Sequence, residues 1–307
     1  MALTLAEASK LSNDMLLQGI VETIVKESPI LQVMPFVEIV GNGLTYNQEK
    51  TLPDIDFYDV GDTWTESTPT FEQKVANLKI MGGDADVDNF LKATRSNIQD
   101  LEASVVEMKA KALRNKFEDT FIYGDSVSNA KQFDGLRKLI NTGTSSSQVI
   151  ATGASGATLG LPMLDQLIDA VKGGKPDLLL MSRRSRRKIN ALVRGSGGMM
   201  ESNRDNWGNF VQYWDSVPIF VSDWILDTHV VAGGVETGTT GGTCSSIYAL
   251  QIGEGALCGI TAPGFMTVEP IGSLESKDAT RNRIKWYVSM ALFSAIKAAA
   301  LIGVQDN

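Results

Sequence analysis

Residues Arg95 to Tyr123 form the stretch that most limits what this chain can fold into. Ile98, Leu101, Val105, Met108 and Ala112 recur at alternating steps of three and four, and Leu113, Phe117 and Phe121 continue at steps of four. That spacing predicts one long helix with an apolar face. Ser96 and Gln99 have capping-box spacing at its start. Asp100 and Glu102 come early, whereas Lys109, Lys111, Arg114 and Lys116 come later, an order that complements the helix dipole. Gly124 is a suitable stop. The helix would run about 42 Å at the usual rise per residue. That is long for the core of an ordinary domain, so its flanks must explain it.

The chain has 307 residues, enough for a sizeable core and about two domains. At 43% hydrophobic and 21% charged it falls in the globular range. No apolar run is long enough to span a bilayer. Glu7, Lys10 and Asp14 interrupt the first residues, which do not read as a signal peptide, so synthesis in the cytoplasm is expected. A net charge of −8 argues against bulk attraction to nucleic acid. Cys244 and Cys258 make neither a disulfide framework nor a metal set. His229 is the only histidine. It weakens zinc and triad chemistry, and its apolar run suggests a structural role.

Thr4–Glu27 reads as a modest helix ended by Pro29. Phe36–Tyr46 reads as a strand broken at Gly41-Asn42-Gly43, and Phe71–Met81 as its antiparallel partner. Between them Lys50–Pro69 is rich in Asp, Thr and Pro and carries Trp64. A two-stranded ribbon buries too little to stand alone. A neighbouring subunit is the economical partner; the alternative is a hairpin inside an ordinary sheet. Asp84, Asp86 and Asp88 open like a calcium loop, but Asn89 and Arg95 occupy the positions that need Gly and Glu. They read instead as an exposed strand end. Asn141–Gly156, rich in Ser, Thr and Gly, is the expected domain boundary.

Beyond it, helices (Leu161–Val171, Ser182–Val193) alternate with strands (Asp177–Met181, Val217–Val221, Val230–Ala232, Ile247–Ile252), which predicts a mixed α/β sheet. Pro218 suggests an edge position for its strand. Phe265–Ile271 and Arg281–Leu292 are further strands, followed by the apolar Ala295–Val304. Gly253, Gly255 and Gly259 mimic a phosphate loop with the wrong spacing. The run Arg183-Arg-Ser-Arg-Arg-Lys188 is the densest charge cluster. It suits either a nucleic-acid contact or, the favoured reading, a solvated helix face paired with nearby acids.

Several of these segments carry a family likeness. Phe121-Ile-Tyr-Gly-Asp125 with Phe133-Asp-Gly-Leu136, Pro176-Asp-Leu-Leu-Leu-Met181, Val217-Pro-Ile-Phe-Val-Ser-Asp223 and Arg281–Val304 follow one another as arm, long hairpin, long helix, α/β domain and returning strands. The order resembles the major capsid proteins of tailed double-stranded DNA phages, the Hong Kong 97-type fold. Ser216 stands where that family commonly has glycine.

The resemblance implies an α+β chain with an N-terminal arm (1–34) and an extended loop (35–83). It further implies a peripheral domain (84–156 and 262–293) holding the spine helix 95–123, and an axial domain (157–261 and 294–307). It implies a structural, non-enzymatic protein without cofactors, assembling with itself as pentamers and hexamers into an icosahedral virion shell. The expected partners are a separate scaffolding protein, a portal, a decoration protein and packaged DNA held without sequence recognition, with no membrane. Expected subunit contacts are Lys50, Trp64 and Glu66 in the loop and Arg183, Arg186 and Arg187 on the basic helix. Some family members crosslink through a lysine in this loop, where Lys50 is available. The alternatives are an encapsulin shell of the same fold and, from another class, a soluble α/β enzyme.

Overall fold

The computed structural model describes residues 28–51, 53–95, 101–198, 201–204 and 210–306. The helix expected over Thr4–Glu27, the capping box at Ser96 and Gln99, and Ile98 lie outside them. Helix α1 (Pro29–Val33) starts at Ser28, whose Oγ accepts from the Leu31 amide at 3.4 Å. Strands β1 (Phe36–Glu38), β2 (Gly43–Thr51), β3 (Thr70–Asn77) and β4 (Lys79–Asp88) follow, then helices α2 (Asn89–Arg95) and α3 (Leu101–Tyr123).

Next come α4 (Leu136–Ile140), β5 (Val149–Ala151), β6 (Ala157–Thr158), α5 (Leu161–Ala170), β7 (Leu178–Met181) and α6 (Arg183–Gly195). Strands β8 (Glu201–Arg204), β9 (Phe210–Trp214), β10 (Val217–Val221), β11 (Val230–Ala232), β12 (Val235–Gly238) and β13 (Ser245–Leu250) continue the series. The long strands β14 (Leu257–Ser273) and β15 (Ala279–Leu292) precede β16 (Ala298–Gln305).

Two sheets organise these elements. One has four strands in the order β1-β14-β15-β4; the other has eight, running β5-β16-β13-β7-β10-β9-β8, with β6 also on β16. The β2–β3 and β11–β12 pairs stand apart. All four residues of β7 and all six of β13 are buried, as in a sheet covered on both faces. Leu178 and Leu180 of β7 join the core around α3, whereas Leu179 and Met181 join Leu164 and Leu167 of α5 and Ile189 and Val193 of α6.

Helix α3 is the hub between the sheets. Phe117 is fully buried, its ring 4.8 Å from Trp286 of β15 and 5.9 Å from Phe133. The buried stripe runs Val106, Ala110, Leu113, Phe117, Phe121. Met108 and Ala112, expected on that face, are exposed. The alternating spacing fits two overlapping faces, and the packed aromatics at 117 and 121 select the one that also holds Val106 and Ala110. As described, the spine is α2 and α3, and α3 alone is about 34 Å long.

Other expectations need correcting. Strand β10 is interior, parallel to β7 and antiparallel to β9. Pro218 is tolerated because pairing with β7 begins only at Ile219. The connector 141–156 contains β5, which pairs in parallel with β16. Asp84 and Asp86 are not a free strand end, because each faces an arginine of β15.

Candidate assembly surfaces

The β2–β3 ribbon divides into a packed root and a bare tip. At the root, Gln48 Nε2 donates to the Leu292 carbonyl at 2.5 Å and the Tyr46 ring meets Phe293 edge-on at 5.0 Å. Ala76 is buried there with Cys258, Ile260 and Ala291 of the four-stranded sheet. The root therefore has a partner in its own chain, and burial pushes the Cys258 thiol up to about 11.

Beyond the root the ribbon carries its apolar groups in solvent. Ile55, Phe57 and Val60 are almost wholly exposed, and Trp64 is 78% exposed. Residues 53–69 also hold Asp54, Asp56, Asp59, Asp62 and Glu66 and no basic residue.

The tip is nonetheless shaped by its own contacts. The Asp62 amide donates to the Asp59 carbonyl at 3.1 Å across a tight turn in which Gly61 has φ +98°, a conformation suited to glycine. Tyr58 stacks on Trp64 at 4.5 Å, and its hydroxyl lies 2.8 Å from Thr65 Oγ1. Glu66 is exposed. Lys50 falls at the register shift between Glu49 and Thr51. The sequence pointed to Trp64; the interleaving of Ile55, Phe57 and Val60 with acids was an available signal that went unused.

Helix α6 starts at Ser182, whose Oγ accepts from the Ser185 amide at 3.2 Å. Its basic run is largely engaged within the chain. Arg183 Nη2 donates to Asp223 at 2.5 Å, Arg184 Nε lies 3.4 Å from Asp227, and Arg187 Nη2 donates to Asp306 at 2.7 Å. Lys188 Nζ donates to the Asp306 carbonyl. Among the described residues Arg186 has no acidic partner. It lines a cavity of about 440 Å³ with Arg114, Glu118, Arg183, Asp223 and Trp224. Burial pushes the Glu118 carboxyl above its ordinary value. The geometry matches the favoured sequence reading, a helix face paired with nearby acids.

The exposed side of α3 carries Met108, Lys109, Ala112 and Lys116. On β4 and β15 two aspartate–arginine pairs missed by the sequence reading lie side by side, Arg281 with Asp86 and Arg283 with Asp84. Among the described residues no group of His, Cys, Asp and Glu side chains could hold a metal ion, and no helix is long and apolar enough to cross a membrane.

The chain is thus a body of two sheets sharing one helical hub, with an acidic ribbon whose apolar side chains stand in solvent. The family model for the phage capsid family matches residues 11–200, and the chain belongs to that family. It is a structural shell protein with the Hong Kong 97-type capsid fold.

Solved shells show the same fold. The encapsulin of the holo-SrpI complex from Synechococcus elongatus superposes with a TM-score of 0.70 at 17% identity, covering 100% of this chain and 98% of that one. The capsid of a native GTA particle gives 0.63 at 12% identity, covering 96% and 93%. A chain of Mycobacterium phage Bobi gives 0.62 at 14% identity, covering 100% of both. Comparison with curated protein sequences yields no match.

Proposed function

We propose that this chain is the major capsid protein of a tailed double-stranded DNA phage, closing as pentamers and hexamers into an icosahedral shell around the genome. The observation that carries this reading is the ribbon tip, with five acids, no basic residue and four large apolar side chains in water. Exposed apolar clusters of this kind mark interaction sites. The matching surface on a second copy is the outer face of α3, where Met108 and Ala112 lie beside Lys109 and Lys116. Acid meets base and apolar meets apolar, so the loop of one subunit lies over the spine of the next. Many modest contacts of this kind add up in a closed shell.

In this assignment residues 1–34 are the arm and 35–83 the extended loop. Residues 84–156 with 262–293 form the peripheral domain, and 157–261 with 294–307 the axial domain. Lys50, Trp64 and Glu66 contact a neighbour from the loop, and Arg183, Arg186 and Arg187 from α6, with Trp64 as the anchor. The protein is not an enzyme and uses no cofactor. It assembles in the host cytoplasm with a separate scaffolding protein, a portal and a decoration protein, and encloses DNA without reading its sequence.

The likeness to the SrpI encapsulin favours a second reading, a compartment built from the same fold around a protein cargo. Electron microscopy of the purified protein with analysis of the shell contents separates them. Closed shells holding double-stranded DNA support the capsid reading, a co-purifying protein cargo in place of DNA supports the second, and a stable monomer that never assembles defeats both. Trp64→Ala tests the anchor: shells formed at normal yield and heat resistance would remove it.

A further inference from the structure

The only histidine of the chain sits fully buried at the joint between α3 and the eight-stranded sheet. His229 Nε2 lies 2.7 Å from the hydroxyl of Tyr123, the last residue of α3. That hydroxyl also accepts from the Leu226 amide at 2.8 Å. The arrangement suits a neutral ring with its proton on Nδ1, toward the Glu236 carboxylate, and Nε2 accepting from the Tyr123 hydroxyl. Nδ1 faces Ser246 Oγ of β13 at 3.0 Å and Glu236 Oε1 of β12 at 3.4 Å. Arg137 of α4 donates to the same Glu236 oxygen at 2.7 Å, and Ser246 Oγ lies 3.3 Å from the other. One neutral ring thus joins α3, α4, β12 and β13.

The surrounding charges are already matched. Glu236 is paired with Arg137, and Asp227, before the histidine, with Arg184 of α6. Asp119 lies one turn back on α3 and pairs with Lys116. Tyr248 of β13 adds a buried hydroxyl and no charge. A second proton on the ring is therefore an unmatched buried charge. It also places an N–H against the O–H of Tyr123, so one of the two donors loses its acceptor.

We propose that this cluster is an acid-sensitive latch, holding the C-terminal end of α3 to the eight-stranded sheet while His229 is neutral and releasing it when His229 takes up a proton. Burial holds the imidazole below its ordinary value of 6.5, with Glu236 opposing that shift. A group with a depressed folded value contributes stability that is complete above the unfolded value and lost as pH falls below it. Release therefore begins below about pH 6.5 and precedes general carboxylate protonation. If the freed ring titrates normally, opening at pH 5 is favoured up to about 25-fold over its value at pH 7.

Hydrogen exchange of the purified full chain at pH 7, 6 and 5, corrected for intrinsic exchange, tests the latch. Protection over 117–125 and 226–231 should fall toward that limit, while Leu178–Met181 stays protected. In His229→Gln the amide can accept from Tyr123 and donate to Ser246 without titrating, so the dependence between pH 7 and 5 should vanish. Unchanged wild-type exchange at the end of α3, loss in step with β7, or an undiminished pH dependence in the variant would overturn the proposal. The wild-type measurement decides the matter even where the variant does not fold.

Discussion

Arg281 holds Asp86 through two parallel hydrogen bonds, Nε to Oδ1 at 2.6 Å and Nη2 to Oδ2 at 2.7 Å, from directly opposite positions on β15 and β4. Two residues along, Arg283 grips Asp84 in the same way at 2.7 and 3.0 Å. Opposed charges on facing strands favour this register over a slip.

These pairs set an acid limit. Hydrogen bonds from Arg283 and Arg281 hold the Asp84 and Asp86 carboxyls below their ordinary value of 3.8. The unfolded chain therefore binds protons first as pH falls, so the stabilisation is complete above that value and lost on going below it. Unfolding midpoints measured from pH 6 to pH 3 should fall less steeply for Asp86→Asn than for the wild type. At pH 7 the variant should melt about 2–4 °C lower.

Phe117→Ala empties the centre of an aromatic group formed with Phe36, Phe121, Phe133 and Trp286. The expected loss is about 3–5 kcal/mol, a large share of the stability of a typical domain. Denaturant titration of the unassembled protein measures it, and poor soluble yield is the expected accompaniment.

Gly259 lies opposite Phe36 in the parallel β1–β14 pair. A Cβ there would sit 2.3 Å from Phe36 Cε1 and 2.8 Å from Met34 Cε. Gly259→Ala should push Phe36 off Trp286 and cost about 1–3 kcal/mol. Near-ultraviolet circular dichroism of the tryptophans should change alongside the melting temperature.

The β9–β10 turn places two non-glycine residues at positive φ, Asp215 at +46° and Ser216 at +67°. Such turns favour glycine, and aspartate tolerates the conformation better than serine. Ser216→Gly should therefore raise stability by roughly 0.5 kcal/mol, read from a shifted denaturant midpoint. Asp215, held by Lys175 Nζ at 2.7 Å, should not be exchanged in the same experiment.

Lys109→Glu reverses a charge on the exposed face of α3 and touches no buried group. The subunit should fold with an unchanged melting temperature, yet assemble several-fold less at low salt. Sedimentation at increasing ionic strength should narrow the difference, because salt screens the repulsion from the acidic ribbon.

Local chemistry made much of this fold legible. Leu164, Leu167 and Ile168 on α5 and the run Leu178–Leu180 on β7 lie where periodicity places them, since a buried helix face and a doubly covered strand each leave a local pattern. The aspartate–arginine pairs were half visible: alternate aspartates at 84–88 and alternate cations at 281–285 were both apparent. Their pairing depends on a register that joins residues 195 positions apart. The edge position assigned to Val217–Val221 rested on Pro218, and it failed because that proline lies where β10 pairs with β9 alone. The candidate contact surface was read from Trp64 alone, since sequence cannot tell which apolar side chains of an acidic loop stay uncovered.

The order of strands has a consequence for synthesis. In the four-stranded sheet, β14 and β15 lie between β1 and β4; in the larger sheet, β16 and β13 separate β5 from β7. In both sheets strands made late fill a gap between strands made early. A ribosome that has made only the first 250 residues carries β4 without β15 and β13 without β16. Neither surface that would meet another subunit has a finished body behind it until residues 257–305 emerge. Until then a nascent chain lacks the strands that complete either sheet.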